Sequence, residues 1–148
     1  MLLETCLLEP ALRQFGQTHD LLITKRVREE YGAGPGPNLR TTLLSTIFKL
    51  VDVEIDQRLL PYFHFDSTSG EIGVISYALR QTGSFCVIDE EFARQVCHLF
   101  DLHFTGSVGI IKQMHREHLL NRNDMHLIRE RLRRSNFYLT DRLLNELK

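Results

Sequence analysis

The sequence predicts an α/β sandwich, a mostly parallel sheet flanked by helices, and three observations carry that prediction. Short apolar runs of strand length alternate with longer stretches of helical spacing along the whole chain. Phe85 to Ile88 is an uninterrupted apolar run bounded by Gly83 and Asp89, the pattern of a strand buried on both faces in a parallel sheet. The third is ordinary globular composition: 148 residues, 43% hydrophobic and 25% charged, which excludes a disordered, collagen-like or disulfide-scaffold protein.

The elements follow in order. Met1 to Cys6 reads as a first strand and Pro10, Leu12 and Phe15 as a helix opened by proline. Leu21 to Thr24 is a second strand, and Thr24 caps a helix that runs through Tyr31 and is stopped by the glycines and prolines of residues 32–38. Leu39 to Leu50 carries helical spacing, whereas Val51, Val53 and Ile55 alternate with acids like a half-buried strand. Residues 66–70 read as a turn, Glu71 to Thr82 as a helix, and Glu90 to Leu99 as a helix that Asp89 can cap. His103 to Thr105 is the last strand of the alternation, followed by helices at Gly106 to Leu120, Asp124 to Arg134 and Thr140 to Leu147. We read 1–148 as one domain, with 121–148 a C-terminal helical extension.

Composition narrows the function classes. Eighteen Lys and Arg against nineteen Asp and Glu give a net charge of −1, so no global field selects nucleic acid or membrane. From Lys112 to Arg134, however, seven cations face three acids, a phosphate footprint or a solvated helix face. No apolar run reaches the ~20 residues that span a bilayer, and the start lacks a basic leader. Cys6, Cys86 and Cys97 are odd in number and sit in apolar runs, which predicts reduced packing residues and a cytoplasmic location. The glycine-rich stretch lacks the Gly-Lys-Ser/Thr ending of a P-loop, and no serine elbow is present. His115, His118 and His126 have no accompanying metal motif and read as surface residues.

Ligands of parallel sheets bind outside the carboxyl ends of the strands, so acids there are the candidates for chemistry. Four stand in such places: Glu4 in the first strand, Glu30 in the second helix, Glu71 opening a helix, and Asp89 directly after the apolar strand. Carboxylates drawn from separate elements suit a hard cation such as Mg²⁺ or Mn²⁺. Three have a plainer reading: exposed helix charge for Glu30 and Glu71, a helix cap for Asp89.

The order of these acids and their neighbours resembles the PIN-domain superfamily, in a branch of toxin-type ribonucleases. Glu4, Thr5, Cys6 and Leu8 match its first strand with glutamate in place of aspartate. Val27 with Glu30, Gly70 with Glu71, and Ile88, Asp89, Glu90, Ala93 and Arg94 match its next three motifs. Thr105, Gly106 and Gly109 follow, and Asn136, Phe137, Leu139, Thr140, Asp141 and Leu143 form a variant of its tail. The resemblance implies a PIN-like three-layer sandwich and Mg²⁺- or Mn²⁺-dependent hydrolysis of RNA, with Glu4, Glu30, Glu71 and Asp89 catalytic and Glu4, Glu71 and Asp89 on the metal. It also implies RNA contacts through Thr5, Arg94, Lys112 and Arg116, an antitoxin protein as partner, and a homodimer. Two departures, Glu4 for aspartate and Gly73 where many relatives carry another acid, support an alternative: a degenerate module that binds nucleic acid or assembles without catalysis.

Overall fold

The computed structural model describes residues 8–32, 45–64, 69–134, 145 and 147. The predicted first strand with Glu4, Thr5 and Cys6, the loop after Gly32, the first half of the helix expected over 39–50, and nearly all of the tail from Ser135 lie outside the described residues. The chain divides into two compact units: a central one, Asp20–Thr105, and a terminal one, Met1–His19 with Gly106–Lys148.

In the central unit, β1 (Leu22–Thr24) runs into α1 (Lys25–Gly32) without a connecting loop. It pairs in parallel with β2 (Lys49–Val51), Ile23 opposite Leu50, and the Lys49 N–H donates to the Leu21 carbonyl at 2.8 Å. The strand thus begins earlier than its alternation predicts. Residues 45–47 are helical, but pairing with β1 takes over from Lys49, and Val53 to Ile55 continue past Val51 outside the strand. A three-residue strand shows too little periodicity to compete with the helical spacing before it.

Asp56 then caps a turn of 3-10 helix, Gln57–Leu59, accepting from the Arg58 N–H at 3.0 Å and pairing with its guanidinium at 2.8 Å. The turn delivers Leu59 to the core with no exposure. Helix α2 (Gly70–Arg80) is the centre of this unit. Ile72, Ile75 and Ala78, at helical spacing, are buried, and the helix packs on β1, α1, β3 and α3. Buried Ser76 accepts from the Asp56 N–H at 3.0 Å, tying the 3-10 turn to it.

Gly83, at φ +83°, turns the chain into β3 (Cys86–Val87), which pairs in parallel with β4 (Phe104–Thr105) across α3 (Glu91–Leu99). The expectation of a strand buried on both faces is corrected here. Cys86 and Ile88 are buried, but Phe85 is 66% and Val87 47% exposed. Only the Cys86 and Ile88 side faces the core, alongside Ile72, Ala93, Val96 and Cys97, so period-two burial replaces the apolar run's apparent two-sided burial. The class itself is as predicted, α/β with parallel strand pairing and crossover helices.

The terminal unit is helical among the described residues. Its helices are a first segment, Glu9–Phe15, with Pro10 in its opening turn, α4 (Ser107–Arg116) packed against it, and α5 (Arg122–Arg134). The start of α5 is a reciprocal cap: Asn121 Oδ1 accepts from the N–H groups of Asn123 and Asp124, while the Asn121 N–H donates to Asp124. Its buried stripe is Met125, Ile128 and Leu132. No described helix is long and apolar enough to cross a membrane.

The Arg58 hydrogen bonds hold the Asp56 carboxyl down to about 2 from an ordinary 3.8. A pKa depressed on folding contributes stability above the unfolded value that is lost as pH falls through the folded one. Because Arg58 is 62% exposed, the effect is screened and shallow. The melting-temperature gap between wild type and Asp56→Asn is therefore expected to narrow as pH is lowered from about 4 to about 2. A constant gap across that window would leave the pair without a role in stability.

Candidate active site

The site is built where α1 meets the start of α2. Glu30 lies one helical turn beyond Val27 on α1, and both face Gly70, the first residue of α2. The Gly70 N–H donates to Glu30 Oε1 at 2.6 Å. A carboxylate at a helix N-terminus meets both an unsatisfied N–H and the positive end of the helix dipole. Ser69, at the capping position, makes no side-chain cap and its buried Oγ lacks a hydrogen-bond partner among the described residues, so Glu30 supplies the cap from 40 residues away.

The glycine is required by distance. A Cβ at position 70 would stand 2.7 Å from Glu30 Oε2 and 2.7 Å from Val27 Cγ2. The two sequence pairs, Val27 with Glu30 and Gly70 with Glu71, are thus the two sides of one contact. Glu71, the next residue, is half-buried in the first turn of α2 and makes no hydrogen bond or ion pair among the described residues. Gly73 has a packing reason of its own: a Cβ there would lie 3.2 Å from Thr24 Oγ1 and 3.4 Å from Arg26 Cδ, so α2 is seated too closely on the end of β1 for a side chain at this position to fit without displacement.

Asp89 follows β3, as expected for an acid at the carboxyl end of a parallel strand. It does not cap the next helix. Glu90 does, accepting from the N–H groups of Phe92 at 3.0 Å and Ala93 at 2.6 Å, and α3 accordingly starts at Glu91. Asp89 instead faces Arg94, 3.5 Å away, whose Nε donates to the Ile88 carbonyl at 2.8 Å. Arg94 therefore ties the strand end and the acid to the first turn of α3.

A cavity of about 540 Å³ opens beside Glu30 at the carboxyl ends of β1 and β2, lined by Thr24, Lys25, Arg26, Glu29, Glu30, Asp52 and Val53. Glu71 and Asp89 are not part of its lining. Asp52 was missed in the sequence: it directly follows β2, the same place that singled out Asp89, but the misplaced strand made it an outward residue of an alternating run. Among the described residues no group of three or more His, Cys, Asp or Glu is arranged to hold a metal ion, and Glu4 lies outside them.

The remaining sequence candidates fall elsewhere. Lys112 and Arg116 stand one turn apart on α4 of the terminal unit, and Thr5 lies outside the described residues. His115 engages the Leu120 carbonyl at 2.6 Å. Cys86 and Cys97 are free, buried and hydrogen-bonded to each other; that bond and burial push the Cys86 thiol up. The donors left near the strand ends are carboxylates, whose chemistry fits a hard divalent cation rather than a thiolate-bound metal.

Acids after parallel strands and a cleft lined by both acids and bases at the carboxyl ends of β1 and β2 define the class: an α/β domain with a polar cleft at its strand ends. A family model described as PIN domain matches residues 8–148, and the chain belongs to that family. No curated protein matches it, and no solved structure does. Membership points to a nuclease; PIN domains generally use Mg²⁺ or Mn²⁺, bind nucleic acid and are often paired with antitoxins.

Gly70→Ala is expected to push Glu30 and Val27 aside and to destabilise the protein by about 1–3 kcal/mol, read from urea unfolding. An unchanged midpoint would show that the contact tolerates a methyl group.

Proposed function

We propose that the protein is a Mg²⁺- or Mn²⁺-dependent ribonuclease, the toxin of a toxin–antitoxin pair, acting as a cytoplasmic homodimer. The observation that supports it best is that the motif pairs carrying the family resemblance meet in space, Glu30 on the N-terminus of the helix that begins Gly70–Glu71. In this reading 1–148 is one PIN-like domain with 121–148 as its helical extension, and Glu4, Glu71 and Asp89 hold the cation, with Glu4 carried by the resemblance alone.

The bound cation would lower the pKa of a coordinated water and neutralise charge developing on the phosphate. The protein's own residues do the positioning. Glu30 fixes the start of α2 and with it Glu71; Arg94 holds Asp89 at the strand end. Thr5, Arg94, Lys112 and Arg116 serve the phosphate backbone. Water oxygen would bond to phosphorus as the P–O3′ bond breaks, the water giving up a proton to solvent and the leaving O3′ taking one from it, to leave 5′-phosphate and 3′-hydroxyl ends.

The test is cleavage of a mixed RNA with Mn²⁺, with Mg²⁺ and with EDTA. Metal-dependent cleavage that falls ~10²-fold or more in Asp89→Asn is expected. Equal activity in both proteins, or none in either, would leave the non-catalytic binding or assembly module as the better reading. Arg94→Ala, acting through Asp89, is expected to weaken the apparent metal affinity ~10–100-fold in a protein that still folds. An unaltered metal titration would remove Arg94 from that role.

A further inference from the structure

The small net charge hides a division. The central unit carries eight Lys and Arg against twelve Asp and Glu, the terminal unit ten against seven. Within the terminal unit, the cations of α5 are ordered. At 100° per residue, Arg122, His126, Arg129 and Arg133 fall within a sector of about 60°, a stripe beside the buried Met125, Ile128 and Leu132. Arg131 and Arg134 point elsewhere, so the crowded arginines of the sequence are not one patch, but this set is.

The stripe is exposed and largely unneutralised. Arg122, His126 and Arg133 are exposed and Arg129 is half-buried. Arg122 and His126 make no hydrogen bond or ion pair among the described residues, Arg129 donates to Asn145 at 3.4 Å, and Arg133 meets the partly exposed Glu130 at 3.2 Å. The unit's other described acids are occupied: Glu9 by Arg13, Glu117 by Gln113 and His19, Asp124 by the Asn121 cap.

We infer that this stripe of α5 binds the phosphate backbone of single-stranded RNA. The inference rests on the reading of RNA as the substrate and names a surface of the terminal unit for it. Four positions spread over ~16 Å of helix present a row of cations long enough to meet several successive phosphates of one strand. Arginine's planar fork suits phosphate oxygens. The stripe has no apolar residue to anchor a protein; Leu127, 56% exposed, lies about 130° from its centre. Charge without an apolar anchor favours a polyanion over an acidic peptide.

Binding of a fluorescein-labelled oligouridylate, followed by anisotropy in EDTA between about 50 and 200 mM salt, separates binding from cleavage. Arg122→Ala combined with Arg133→Ala is expected to weaken binding ~10–30-fold and to make the salt slope shallower by about 1.4. The matching double Lys variant should keep the slope, and Arg80→Ala, a surface cation of the central unit, should bind like wild type. Wild-type affinity and slope in the double Ala variant, or an equal loss in Arg80→Ala, would overturn the assignment. So would polyglutamate binding more tightly than the RNA and losing that affinity in the double variant. A protein that cuts no RNA yet shows the expected slopes would sink the nuclease reading alone; metal-dependent cleavage with unaltered slopes would sink the stripe alone.

Discussion

Much of the central unit depends on one contact, the carboxylate of Glu30 against the first N–H of α2. A helix end carries several donors with no partner inside the helix, and Ser69 leaves its side chain unused there. Glu30 supplies the missing acceptor, Val27 packs beside it, and Gly70 provides the space by having no side chain. Once α2 is anchored at that end, Ile72, Ile75 and Ala78 are fixed over the core, and Gly73 brings the helix close to Thr24 at the end of β1. Glu30 is thereby both a structural cap and a wall of the cleft, and a substitution there changes the two together.

A second acid pair shows how a strand end is prepared for chemistry. In α/β folds the residue after a strand is drawn toward capping the following helix, which uses up its oxygens. Here the duty passes to Glu90, one position on, and Asp89 is turned to Arg94 instead. Two consecutive acids thus divide two tasks that a single aspartate would have to share.

Class and motif were legible in the sequence; boundaries and burial were less so. Helix α2 was readable because Ile72, Ile75 and Ala78 repeat at helical spacing over nearly two turns, and the Gly70 and Glu30 motifs could be picked out although their contact could not. Strand β2 was misplaced because three residues hold too little period, and its pairing with β1 is decided by residues far away in the chain. That error hid Asp52, whose position after the strand is the very feature that exposed Asp89. The apolar run at Phe85 to Ile88 overstated burial because composition does not report whether a second face is covered; Phe85 finds its ring contact with His103 at 5.3 Å instead. The ordering of the α5 cations was present in the spacing of Arg122, Arg129 and Arg133, and was obscured by counting the dense run at its end.

Cys86, three residues before Asp89, and Cys97 join β3 to α3 through hydrogen-bonded thiols that solvent barely reaches. Alkylation requires a thiolate and room for the reagent; the pair holds the Cys86 thiol protonated while favouring the Cys97 thiolate, but burial denies the reagent access to either. Their labelling rate is therefore governed by how often this corner opens, and the protein carries, without any added probe, a chemical clock for the breathing of the strand that presents its acid.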